Sequence, residues 1–169
     1  MKLLFTIVIL GILAAVAIPK LVETSDNARV KLNVEKSSVP EVELPYTGNV
    51  NNYSSETKIA PFAIETSGGA NYFVKLKDIY SNQTVMEFFI RGGERISTKV
   101  PLGTYQITYA SGKKWYGYNN LFGSDTSYNK TDQNFNFKQT SQGVSGYTIT
   151  LYQVSNGNLS TSRLSPSEF

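Results

Sequence analysis

MKLLFTIVILGILAAVAIPK, residues 1–20, is the stretch on which the reading of this chain turns. From Leu3 to Ile18 it carries no charged side chain, so it has to be buried in lipid, buried against other helices, or removed. Those 16 residues as a helix would span roughly 24 Å, a little under the ~30 Å hydrocarbon core of a bilayer. Leu, Ile and Val lie on every face, and Gly11 with Ala14 and Ala15 makes a patch of small residues that lets helix backbones approach closely. Pro19 removes a backbone donor and weakens the turn before it. Lys2 and Lys20 bracket the segment.

Beyond Pro19 the composition changes. The chain has 169 residues, 13 of them acidic, and a net charge of +3. Its remainder is rich in Asn, Ser, Thr and Tyr and is long enough for one sizeable core. Cysteine and histidine are both absent, which removes disulfides, thiolate metal sites, the usual general base and the commonest zinc ligand. The acidic residues form no paired constellation, and Asp125 and Asp132 do not have the spacing of a calcium loop, so no enzyme activity, cofactor or metal site is expected.

The run Ile9-Leu-Gly-Ile-Leu-Ala-Ala-Val-Ala-Ile-Pro-Lys-Leu21, with Gly11 and Pro19 eight apart, resembles the second half of the N-terminal helix of type IV pilins and pseudopilins. That resemblance implies a subunit held in the inner membrane, extracted by pilus assembly machinery, and stacked with copies of itself into an extracellular helical filament. Leu4, Phe5, Ile7, Val8, Gly11, Leu13, Ala14 and Pro19 would then form the polymerisation surface. Counting back nine residues from Gly11 reaches Lys2, where the family carries a glutamate. Either Met1 is not the true start or this is an atypical member, and the former is the expectation. Two other readings of the same segment stay open. One is a secretory signal peptide cleaved at Ala15-Val16-Ala17. The other is a simple membrane anchor.

The expected fold class is α+β: a long N-terminal hydrophobic helix over 1–28, an extended linker with possible strands over 29–59, one of them at Glu41 to Leu44, and an all-β antiparallel sandwich head over 60–169. In the head, Tyr72, Val74 and Leu76 alternate with Phe73, Lys75 and Lys77, as a strand with one buried face requires. Gly92-Gly93 separates predicted strands at Thr84 to Ile90 and Glu94 to Val100. Further strands are predicted at 61–66, at 134–138, 147–153 and 159–164, and after Pro101, about eight in all. Val100-Pro-Leu-Gly-Thr-Tyr-Gln-Ile-Thr108 resembles the P-x-G-x-Y signature of transthyretin-like and carboxypeptidase-regulatory-like sandwiches over about ten residues.

One cluster in the head suggests a ligand surface. In Lys113-Lys-Trp-Tyr-Gly-Tyr-Asn-Asn-Leu-Phe122, the rings of Trp115, Tyr116 and Tyr118 would stack on sugars, with the asparagines supplying amide hydrogen bonds. The same aromatics would equally fill a core. The basic stripe is too short for a specific nucleic-acid partner. Two functions follow: a structural filament subunit, or an anchored or secreted β-sandwich module that binds glycans at a surface.

Overall fold

The computed structural model describes residues 39–152 and 159–169. The expected α+β class is corrected by it: among the described residues there are twelve strands and one turn of 3-10 helix at Gly123–Asp125, and no α-helix. The predicted N-terminal helix, with Lys2, Leu4, Phe5, Ile7, Val8, Gly11, Leu13, Ala14 and Pro19, lies outside the described residues.

The chain divides into two units, and the second, Pro40–Phe169, is the β head. It begins well before residue 60. Strand β1 (Gly48–Asn52) already pairs with β4 (Thr84–Ile90), and the segment before β1 is held from a distance. The Arg91 guanidinium donates to the carbonyls of Leu44 and Pro45 at 2.8 and 2.9 Å, and the Val42 amide donates to the Trp115 carbonyl at 2.9 Å. No strand forms at Glu41 to Leu44. Pro40 and Pro45 favour an extended backbone, and here that extended backbone is bound through its carbonyls and so is no linker.

The remaining strands are β2 (Lys58–Thr66), β3 (Asn71–Asp78), β5 (Arg95–Pro101), β6 (Gly103–Gly112), β7 (Ser127–Thr131), β8 (Phe135–Phe137), β9 (Gln139–Thr140), β10 (Gly143–Val144), β11 (Tyr147–Leu151) and β12 (Thr161–Arg163). The larger sheet runs β1-β4-β3-β6-β7-β12, with β8 also on β6; a smaller sheet runs β11-β2-β5; β9 and β10 form a short hairpin. The expected antiparallel pairing holds except at β11, which lies parallel to β2. Strands β1 and β7 are polar stretches without alternation, so only their partners mark them as strands.

The alternation in the sequence decides which face is buried. Tyr72, Val74 and Leu76 of β3 pack with Phe88 and Ile90 of β4 and Ile107 of β6 against Phe62 and Ile64 of β2 and Leu151 of β11, so the two sheets share one core. Phe62 lies edge-on to Phe137 at 5.6 Å and is 2% exposed. Burial of each such ring contributes about 1.5–3 kcal/mol.

The P-x-G-x-Y stretch explains itself locally. Tyr105 is buried, and its hydroxyl donates back to the Leu102 carbonyl at 3.0 Å, closing the turn between β5 and β6. A Cβ on Gly103 would sit 2.6 Å from that hydroxyl, so the glycine leaves the space the tyrosine occupies.

Candidate functional site

The larger sheet has a second face, and the side chains that alternate away from the core meet there. Phe73 of β3 stands opposite Phe89 of β4 and Ala110 of β6. These three are buried under Trp115, Leu121 and Phe122, which belong to the loop between β6 and β7. The loop is folded rather than draped. The Leu121 amide donates to the Gly117 carbonyl at 2.7 Å, and the Tyr116 amide donates to the Leu121 carbonyl at 2.8 Å. A Cβ on Gly112 would lie 2.3 Å from the Phe122 Cβ, so the glycine lets the loop press directly onto β6.

This geometry separates the three aromatics predicted as a stacking platform. Trp115 is 2% exposed, with its ring 5.0 Å from Phe89 and 5.2 Å from Phe122. It is a core residue of the second face, and its faces are taken by protein. Tyr116 is half-buried. Tyr118 is 50% exposed and packs against Trp115 at 5.3 Å and Phe73 at 5.6 Å, so it is the one of the three that presents a ring to solvent. Burial pushes its phenol above the usual value of 10.0. Lys113, Asn119 and Asn120 are exposed, and Lys114 makes an exposed ion pair with Glu41 at 3.1 Å.

One pleat step along the same face lies a polar row that the sequence did not single out. Asn51 of β1 is paired with Glu87 of β4, and Glu87 with Lys75 of β3. Glu87 is only 8% exposed. Its Oε2 accepts from the Asn51 amide at 2.7 Å and from the Tyr53 hydroxyl at 2.9 Å, and its Oε1 lies 3.9 Å from the Lys75 ammonium. The Lys75 Nζ donates to the Phe169 carbonyl at 3.1 Å and sits 4.3 Å from the centre of the Phe169 ring. Burial lowers the Lys75 ammonium from its usual value, against the opposing pull of Glu87. The carboxylate thus stands between an amine and an amide, with the Phe73 and Phe169 rings on the amine side and the exposed residues Asn51 and Tyr53 on the other. The period-two pattern puts Lys75 and Glu87 on polar faces of their strands, but only the register across three strands brings them to one place.

Elsewhere open depressions mark the surface, one of about 550 Å³ beside Tyr128, Arg163 and Leu164 and a smaller one at Asp78 and Asn82. The smaller, of about 230 Å³, is lined by Lys77, Asp78, Ile79, Asn82, Gln106 and Asn134. Among the described residues no three acidic side chains cluster as metal ligands, and no helix is long and apolar enough to cross a membrane. Comparison with known families, with curated proteins and with solved structures finds no match to this chain.

Proposed function

We propose that this chain is a structural, non-enzymatic subunit of an extracellular type IV pilus-like filament. Its apolar segment holds it in the inner membrane before assembly and then packs against the same segment of other copies, with pilus assembly machinery as the partner that moves it. The observation that carries this reading is the run from Ile9 to Leu21, with Gly11 and Pro19 in the family's order and spacing. The β head is consistent with a covering role, because Trp115 and most of its phenylalanines are buried in two internal clusters, while tyrosines such as Tyr46, Tyr80 and Tyr118 stay at the surface. Burial of the apolar segment on several neighbours would contribute tens of kcal/mol at ~25 cal/mol per Å², before entropic costs.

Electron microscopy of material sheared from native cells, with mass spectrometry on the same sample, tests it. Helical filaments containing residues 5–19 are expected, and Gly11→Asp or Leu13→Asp should abolish them while leaving the head folded. Filaments of normal yield from either variant, or a mature chain beginning at Ile18, would overturn it.

The rival reading, a surface module that binds glycans, is favoured by one observation, the half-exposed Tyr118 ring beside Asn119 and Asn120. Under that reading the monomer binds glycans and Tyr118→Ala abolishes binding; no retention on immobilised glycans would remove it.

A further inference from the structure

The polar row on the second face has the composition of a covalent cross-link site. Amide formation between a lysine and an asparagine needs an uncharged amine, an amide carbon within reach, and an acid that can hand a proton to the departing nitrogen. Asn51, Glu87 and Lys75 project from three adjacent strands in one cross-strand row. Glu87 Oε2 is 2.7 Å from the Asn51 side-chain nitrogen, the atom that would leave. On its other side the Lys75–Glu87 separation of 3.9 Å is too long for a charge-assisted hydrogen bond, so the two charges are adjacent without being satisfied by one another. The side chains of Lys75 and Glu87 are 20% and 10% exposed, and the rings of Phe73 and Phe169 flank the amine.

We propose that Lys75 and Asn51 become joined by an intramolecular amide bond, with Glu87 as the proton carrier. The Lys75 ammonium gives a proton to the Glu87 carboxylate. The neutral Nζ then attacks Cγ of Asn51, forming the new C–N bond. Glu87 delivers its proton to the side-chain nitrogen of Asn51, the old C–N bond breaks, and ammonia departs while Nζ returns a proton to Glu87. Ammonia leaves as ammonium, so the carboxylate is restored and no oxidant or second substrate enters. The lowered proton affinity of Lys75 on burial favours the first step. The product ties the edge strand β1 to β3 across β4, and it does so whether or not the chain polymerises.

The test is mass spectrometry of the full chain, denatured and then digested. The expected mass is lower than the sequence mass by one ammonia, about 17 Da, with a branched peptide joining Asn51 to Lys75 and no tryptic cleavage after Lys75. Glu87→Gln and Lys75→Arg are each expected to restore the full mass. Separate, unmodified peptides containing Asn51 and Lys75 in the wild-type chain would overturn the proposal, and this readout does not depend on the variants folding. A deficit confined to a linear peptide, as from cyclisation of Asn51 alone, would overturn it too. A branched peptide that persists in Glu87→Gln would overturn the role given to the carboxylate.

Discussion

Replacing Trp115 with alanine separates a core role from a ligand role by magnitude. The indole is 2% exposed and packs within 5.0 to 6.2 Å, centre to centre, of Phe89, Phe122, Tyr118 and Phe73. Truncating a large buried aromatic to alanine costs about 3–5 kcal/mol, through lost transfer energy and the cavity left behind. The loop has its own hydrogen bonds and can partly collapse into the space, so about 3 kcal/mol is expected. For a head of this size that lowers the thermal midpoint by roughly 10 °C. Circular dichroism of both proteins during heating and in urea gives the comparison, since Trp115 is the only tryptophan and its fluorescence is lost in the variant. In the wild type that fluorescence should resist quenching by iodide. A loss under about 1 kcal/mol, or free access of iodide to the indole, would refute the placement of Trp115 in the second core. Tyr118→Ala removes a half-exposed ring and should cost well under half as much.

Gly112→Ala places a Cβ where Phe122 already stands and should destabilise the head by about 1–3 kcal/mol, measured by urea denaturation. Arg91→Ala removes two hydrogen bonds from a charged group to the Leu44 and Pro45 carbonyls, together with the guanidinium stacked 4.9 Å from the Tyr46 ring centre. It should cost about 2–3 kcal/mol, and amide exchange across β1 should accelerate more than exchange across β3. Asp78 accepts hydrogen bonds from the Ser81 amide and hydroxyl and from the Tyr80 amide, which hold its carboxyl below the usual 3.8. A carboxyl with a depressed folded value stabilises the fold fully above its unfolded value, and the contribution is lost as pH falls through the folded one. Stability should therefore decline as pH drops below about 4, and Asp78→Asn should flatten that decline; an unchanged pH profile in the variant would count against the turn.

How far the sequence spoke depended on whether a partner was local. Thr84 to Ile90 was legible because a glycine pair bounds it, and the predicted and observed strands coincide. The alternation of Tyr72, Val74 and Leu76 gave the buried face of β3, since period two is a property of the strand alone. Strand β1 was read as part of a linker because Gly48-Asn-Val-Asn-Asn52 carries turn-forming residues and no alternation of its own; its strand geometry comes from β4. The α component of the expected class came entirely from residues 1–28, and the described chain is β. The Trp115 cluster could not be assigned to core or surface, because its orientation is set by loop closure, including Leu121 at a φ of 49°, and no simple period describes it. Asn51, Glu87 and Lys75 were invisible as a group for the plainest reason: they are joined only by cross-strand register.

The Arg91 bonds to Leu44 and Pro45 also decide how the head meets tension. A pull transmitted along the chain from its N-terminal side reaches those carbonyls before it reaches β1. The Glu41–Lys114 pair and the Val42 amide bond to the Trp115 carbonyl are loaded first, the guanidinium follows, and β1, which among the described residues has a partner on one side alone, is next in the line of load. Lengthening under force should begin with these few residues, while the central strands β3 and β6, paired on both sides, keep their ladder. The Arg91→Ala variant should release the segment from Leu44 up to β1 at lower force in single-molecule pulling. A head arranged in this order gives a little slack at its N-terminal end before its core is strained.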